Sequence, residues 1–229
     1  MALLRIQQVK KMFPRPDGAF HVVLDVEGLA LEAGEELALA GESGSGKTTL
    51  LNLIAGIVTP EQGHIFVEGT DVTTLGESAR DRWRAATIGY VFQSFNLLQG
   101  YTCLENVLLA MSFGRGVDRA RAESLLRRVG LGEMMRRRPR ELSSGQQQRV
   151  AVARALANQP RLVLADEPTG HLDSRHAREV VALMRETCRE AGAALLLVSH
   201  DREVLAGFRR VEPMKTLNRA IAVPEVAVV

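Results

Sequence analysis

Along the chain the spacing of apolar positions changes repeatedly, and each change predicts a different kind of element. Leu4-Arg5-Ile6-Gln7-Gln8-Val9 alternates apolar and polar residues, the period-two pattern of an edge strand with one buried face. Past the turn residues Pro14, Pro16, Asp17 and Gly18, residues 21–26 and 27–31 extend that pattern. The start of the chain therefore reads as antiparallel, hairpin-connected strands. Glu36-Leu37-Ala38-Leu39-Ala40 is a short apolar run that predicts a buried strand, and residues 49–55 predict the opening of a helix. Residues 64–69 follow a Glu61-Gln62-Gly63 turn as another short strand, and residues 88–92 form a strand that ends at Gln93.

From about residue 94 to 159 the period shifts toward that of helices. Residues 120–129 are helical and stop at Gly130, and residues 146–157 are helical and close at Asn158-Gln159-Pro160. Residues 162–165 then make a buried strand, 175–190 a helix and 193–198 a second buried strand. Continuous apolar strands of this kind belong to parallel sheets covered on both faces. The expectation is one α/β unit over residues 1–229. Residues 1–93 and 160–229 would form a core carrying an antiparallel β-subdomain, and residues 94–159 a helical subdomain.

Chemistry enters between the strand at 36–40 and the helix after it. Gly41, Glu42, Ser43, Gly44, Ser45, Gly46, Lys47 and Thr48, with Thr49 opening the helix, fit the P-loop, in which a glycine-rich turn aims backbone N–H groups at nucleotide phosphates. Lys47 would reach the β- and γ-phosphates and the Thr48 hydroxyl would face Mg²⁺. The helix N-terminus adds partial positive charge at the same place. A chance glycine turn before a helix is the competing account, and the strand–loop–helix context weighs against it.

Directly after residues 162–165 stand Asp166 and Glu167, at the carboxyl end of a strand, where open parallel sheets bind ligands. Asp166 would hold Mg²⁺ through its water shell, and Glu167 would orient and deprotonate an attacking water. Alone, Asp166-Glu167-Pro168 could equally be a turn that ends a strand. His200 follows the second buried strand and would hydrogen-bond the γ-phosphate and the water; a lone histidine there is otherwise a surface or capping residue. Gln93 is either a loop residue or an amide oxygen donor to Mg²⁺ or water.

Ser143, Ser144, Gly145 and Gln146 enter a helix and make a second anion-binding design, since small residues at a helix N-terminus expose N–H groups and a hydroxyl. An ordinary serine N-cap has the same look. This segment lies far from the P-loop in sequence, and one chain would struggle to bring both to one nucleotide.

A net charge of +2 gives no reason to expect a nucleic acid partner. No uninterrupted apolar stretch approaches the length of a membrane-spanning helix. Cys103 and Cys188 lack metal-ligand spacing, and a reduced cytoplasm is the simplest setting for them. Arg136, Arg137, Arg138 and Arg140 form a local basic cluster, read either as a solvated loop or as a contact for anionic lipid or an acidic partner loop. The tail from Ala220 to Val229 is apolar but interrupted by Pro224 and Glu225, and reads either as packing on the core or as touching a partner.

Taken in order, the P-loop, Gln93, Leu142-Ser143-Ser144-Gly145-Gln146, the segment ending Asp166-Glu167-Pro168, His171-Leu172-Asp173 and His200 resemble the ATP-binding cassette (ABC) transporter ATPase subunit over essentially the whole chain. The resemblance implies a P-loop NTPase (RecA-like) core, ATP with Mg²⁺, and active hydrolysis. It also implies a head-to-tail homodimer in which each ATP lies between the P-loop of one copy and Ser143–Gln146 of the other. By the same resemblance Phe13 stacks on adenine, Asp173 joins the two ATP sites, and the chain sits on the cytoplasmic face of a membrane beside an integral permease. Residues 92–98, 104–107 and 167–170 are similar to ATPases of the lipoprotein-release and macrolide-export type.

This chain departs from the family pattern in three places. Ser144 stands where glycine is usual and needs a negative φ to fit. His171 replaces asparagine or alanine, and Gln99-Gly100-Tyr101 replaces a proline-containing turn. The competing readings are an ABC ATPase driving a membrane partner that moves no substrate, a soluble ABC ATPase of DNA repair or translation, and a small P-loop kinase. DNA-repair members carry a long coiled-coil insertion between P-loop and signature, and translation factors carry two cassettes. A kinase leaves Ser143–Gln146 and His200 unexplained.

Overall fold

The computed structural model describes residues 2–16 and 18–222, so Asp17 and the tail beyond Ala222 lie outside the described residues. Two sheets carry the fold. The first strands are β1 (Leu4–Pro14) and β2 (Phe20–Leu31), an antiparallel hairpin, with β4 (Gln62–Val67) and the short β5 (Thr70–Asp71) completing a sheet of order β2-β1-β4-β5. Residues 21–26 and 27–31 are thus one strand. The edge-strand expectation for residues 4–9 is corrected: β1 has partners on both sides, pairing Leu4 with Leu31 of β2 and with Val67 of β4. Alternation marks a strand with one buried face, and it is the same whether that strand is central or at an edge.

The second sheet is parallel, in the order β6 (Ile88–Val91), β7 (Leu162–Asp166), β8 (Ala194–Ser199), β3 (Glu36–Ala40) and β9 (Arg210–Pro213). Its strands alternate between two hydrophobic cores. Leu37, Leu39, Leu162, Leu164, Leu196 and Val198 join the core shared with the antiparallel sheet and with α1 (Lys47–Ile54). Ala38, Val163, Ala165, Leu195 and Leu197 face the other core, with the helices. Burial on both faces explains the unbroken apolar runs that marked β3, β7 and β8 in the sequence.

The remaining helices are α2 (Glu77–Thr87), α3 (Cys103–Ser112), α4 (Arg119–Arg128), α5 (Ser144–Ala155), α6 (Ser174–Glu190), α7 (Arg202–Leu205) and α8 (Met214–Leu217). Helix α2 precedes the stretch where helical periodicity was expected to begin. It carries Arg80 and Trp83 over Gly56, but much of its surface is polar, so its sequence shows little apolar rhythm. Helix α3 starts in a capping box, with Thr102 accepting from Glu105 N and Glu105 accepting from Thr102 N.

Candidate nucleotide site

The carboxyl ends of β6, β7, β8 and β3 deliver the predicted residues to one region. β3 runs into the P-loop, β6 ends shortly before Gln93, β7 ends at Asp166 and β8 ends next to His200. They enclose a cavity of about 280 Å³. Its lining takes Ser43, Gly44, Gly46, Lys47, Thr48 and Thr49 from the P-loop, Gln93, Glu167 and His200 from the other strand ends, and Val23 from β2. Gly41, Glu42 and Ser45 stand behind the lining. The Gly41 and Glu42 carbonyls accept from Lys47 Nζ at 2.6 and 2.8 Å, and Ser45 Oγ donates to Glu42 O at 2.8 Å, so these residues hold the loop closed.

Lys47 Nζ also lies 3.2 Å from Glu167 Oε1. That oxygen is 3.0 Å from His200 Nδ1, and the His200 backbone N–H donates to the other carboxylate oxygen at 3.3 Å. Glu167 is buried and has a φ of 43°, a left-handed backbone that costs on the order of 1–3 kcal/mol in a residue with a side chain. The turn holds it there: Glu167 N–H donates to Val198 O at 3.0 Å and Gly170 N–H to Glu167 O at 3.1 Å. Asp166 is buried beside it. Burial pushes the Asp166 carboxyl up from its ordinary value, the Thr48 hydroxyl pulls it down, the neighbouring Glu167 charge raises it and the Lys47 ammonium lowers it, with the balance upward. Asp166 Oδ1 has no hydrogen-bond partner among the described residues.

The loop after Gln93 is strained and clamped. Phe95 and Asn96 both take positive φ, 50° and 49°. The Arg154 guanidinium of α5 donates to the Asn96 carbonyl and, at 2.7 Å, to Phe95 O. Burial draws the Arg154 pKa down to about 10. The Phe95 ring meets His171 edge-on at 5.7 Å, which gives the unusual histidine a packing role in this chain. A Cβ on Gly170 would come 3.2 Å from Gln93 Nε2, so the turn beyond Glu167 closes on Gln93.

Ser143, Gly145 and Gln146 line a separate cavity of about 270 Å³, with Arg149, His176 and Glu179 among its other walls, and it shares no lining residue with the first. Ser143 is the N-cap of α5. Its hydroxyl accepts from Gln146 N at 3.3 Å while Gln146 Oε1 accepts from Ser143 N at 3.0 Å. Ser144 begins α5 with helical rather than left-handed backbone, the condition its fit required. Asp173 caps α6, accepting from Arg175 N and His176 N, and its other oxygen lies 2.6 Å from His176 Nδ1. Phe13 lies on β1 opposite His21, 40% exposed, and lines neither cavity. Arg137 of the basic cluster pairs with Glu141 at 3.2 Å, and its carbonyl accepts from Cys103 N, which ties that loop to the fold. Sequence reasoning missed Val23, Arg154 and His176, since none of them belongs to a recognisable motif.

A parallel sheet whose strand ends gather a P-loop, a buried acidic pair and a histidine defines a P-loop nucleotide-binding protein. The family model described as ABC transporter matches residues 24–170, and the chain belongs to the ABC transporter family as an ATP-binding, ATP-hydrolysing subunit. It is 54% identical over 177 residues, 76% of this chain and 74% of the relative, to the lipoprotein-releasing system ATP-binding protein LolD of Anaeromyxobacter dehalogenans. With LolD of Shewanella oneidensis it shares 41% identity over 229 residues, 98% of each chain. The macrolide export ATP-binding/permease protein MacB of Syntrophobacter fumaroxidans is 42% identical over 92% of this chain, which covers 30% of that longer protein. Among solved structures, the ATP-binding cassette MJ0796, a dimer in a post-hydrolysis state bound to ADP and Pi, superposes with a TM-score of 0.84 at 34% identity, over 95% of both chains.

Proposed function

We propose that two copies of this chain close head to tail on two ATP molecules, and that hydrolysis reopens them to drive an integral membrane permease of the lipoprotein-release or macrolide-export type. One observation carries the reading. The phosphate loop and the Ser143 helix tip are both shaped for anions, yet they line separate cavities of one chain, so a second copy is needed to bring them to one triphosphate. The dimeric state of MJ0796 and the names of the LolD and MacB relatives support the assembly and the partner. No helix among the described residues is long and apolar enough to cross a membrane, so in this reading the chain is a peripheral subunit on the cytoplasmic face, with residues 1–229 acting as one ATPase domain.

Each residue then has a task. P-loop N–H groups and Lys47 hold the phosphates, and Phe13 of β1 offers its ring to adenine. Glu167 takes the proton of the attacking water, and His200 steadies the carboxylate it touches. The second copy's Ser143 hydroxyl can donate its proton to the γ-phosphate while its oxygen accepts from Gln146 N. Ser144, Gly145 and Gln146 present N–H groups at the same helix tip, and Asp173 links the two halves. The site suits Mg²⁺: Asp166 offers a buried oxygen with no hydrogen-bond partner among the described residues, and Thr48 and Gln93 add oxygens from the cavity wall. Those three would hold the ion, which supplies charge neutralisation at the phosphates.

Mixing tests the composite site. Lys47→Ala and Ser143→Arg homodimers should both be inactive, while an equimolar mixture should regain hydrolysis through one intact site. Hydrolysis per subunit that stays constant on dilution, with no gain on mixing, would refute the two-copy arrangement. Partner and transport are tested by co-purification with the adjacently encoded permease and by ATPase stimulation on reconstitution.

A further inference from the structure

The last described segment braces the P-loop from behind. Met214, the first residue of α8, is fully buried, and a Cβ on Gly41 would come 2.9 Å from Met214 Cβ. Asn218 follows α8 and is also fully buried. Its Oδ1 accepts from Asp25 N at 2.9 Å and Ala220 N at 3.1 Å, and its Nδ2 donates to Val23 O at 2.9 Å and Ser45 O at 3.2 Å. Both amide protons and both lone pairs are used, so one side chain ties β2, the last described turn and the P-loop together. A flipped amide would face two N–H groups with its own donors, so these four partners also fix its orientation.

The bond to Ser45 O has a consequence across the peptide. In a trans peptide the C=O and the following N–H point in opposite directions. Holding Ser45 O against Asn218 turns the Gly46 N–H away from Asn218, and Gly46 lines the phosphate cavity. Gly46 has a φ of 88°, and a Cβ there would come 3.1 Å from Asn218 Nδ2, so amide and loop are in close contact.

We infer that Asn218 is a positioning residue for nucleotide binding, holding the Ser45–Gly46 peptide so that Gly46 N–H donates to a phosphate beyond the α-phosphate. This rests on the reading of the P-loop cavity as the ATP site. Asn218→Asp keeps the two acceptor contacts and loses both donors, and Asn218→Ala removes all four without burying a charge. In both variants the dissociation constants of ATP and ADP should rise about tenfold, about 1.4 kcal/mol, while that of AMP stays within about twofold. KM for ATP should rise with kcat little changed. The Gly46 amide proton, which should shift downfield when ADP is added to the wild type, should respond weakly in the variants. If the variants lose thermal stability but bind ATP, ADP and AMP in wild-type ratio, Asn218 is structural only and the inference falls. Should either variant fail to fold, the other decides; should both fail, an unmoved Gly46 resonance on adding ADP to the wild type overturns it. Unaltered ATP binding by Lys47→Ala would instead remove the cavity as the nucleotide site, a different failure.

Discussion

Lys47 Nζ and Glu167 Oε1 stand 3.2 Å apart, with side chains only 7% and 10% exposed. The cation that would grip the phosphates and the carboxylate that would deprotonate water are therefore an ion pair with each other. A nucleotide's phosphates must compete with Glu167 for the ammonium, and on doing so they free the carboxylate to face water.

Replacing Glu167 with Gln weakens that competition and removes the base. Hydrolysis should fall about 10²–10⁴-fold, the usual worth of a general base. ATP should bind at least as tightly as in the wild type, and the dimer should persist. Single-turnover phosphate release with size-exclusion chromatography in ATP checks this; release at a near-normal rate would take Glu167 out of the role.

Lys47→Ala should abolish measurable ATP binding by calorimetry and also lower thermal stability, because Glu167 loses a buried partner. The second effect belongs to the pair. Adding Glu167→Gln should recover part of the lost stability, a coupling that a double-mutant cycle measures. Strictly additive melting shifts would mean the ion pair is energetically silent.

Arg154→Ala strips the donors from the Phe95 and Asn96 carbonyls and frees a loop with two left-handed residues. Hydrogen bonds from a charged group contribute about 1.5–3 kcal/mol, so melting should drop by roughly 5 °C for a chain of this size. Because Gln93 begins that loop, kcat should fall about tenfold with ATP affinity nearly intact. Lysine should not rescue it, since it lacks the guanidinium fork.

Much of this was legible in the sequence, and the reason is local. The P-loop, β7 and β8 declare themselves within a few residues, by glycines that backbone geometry demands and by apolar runs that two-sided burial demands. Ser143 could be read because capping is chemistry over three residues, whereas Asp173 came only from the resemblance and its cap of α6 from the structure. Arg154 was illegible because its partners lie 58 and 59 positions away, and Asn218 because its partner Ser45 is 173 positions distant. The edge position given to β1 failed likewise: its second neighbour, β4, arrives only after the P-loop helix. Helix α2 went unseen because a mostly polar helix lying on a glycine leaves no stripe to detect.

A pH experiment isolates one buttress of the antiparallel sheet. Burial pushes the Glu61 carboxyl up, but the Lys11 ammonium and the Met12 N–H outweigh it and leave its pKa below the usual 4.5. A depressed carboxyl stabilises the fold above the unfolded value and loses that contribution as pH falls through the folded one. Glu61→Gln should therefore be less stable than the wild type at neutral pH, with the gap closing below about pH 4.5. Urea melts at several pH values read it; a gap that widens in acid would reverse the sign.

The brace behind the phosphate loop sets a schedule for the growing chain. The motif that names the protein's chemistry is complete by Thr49, but β3 acquires its sheet neighbours only when Ala194–Ser199 (β8) and Arg210–Pro213 (β9) have been made, and Asn218 follows them. A fragment cut short before β8 thus carries the nucleotide signature in its sequence without the neighbouring strands and the amide that hold its loop in place.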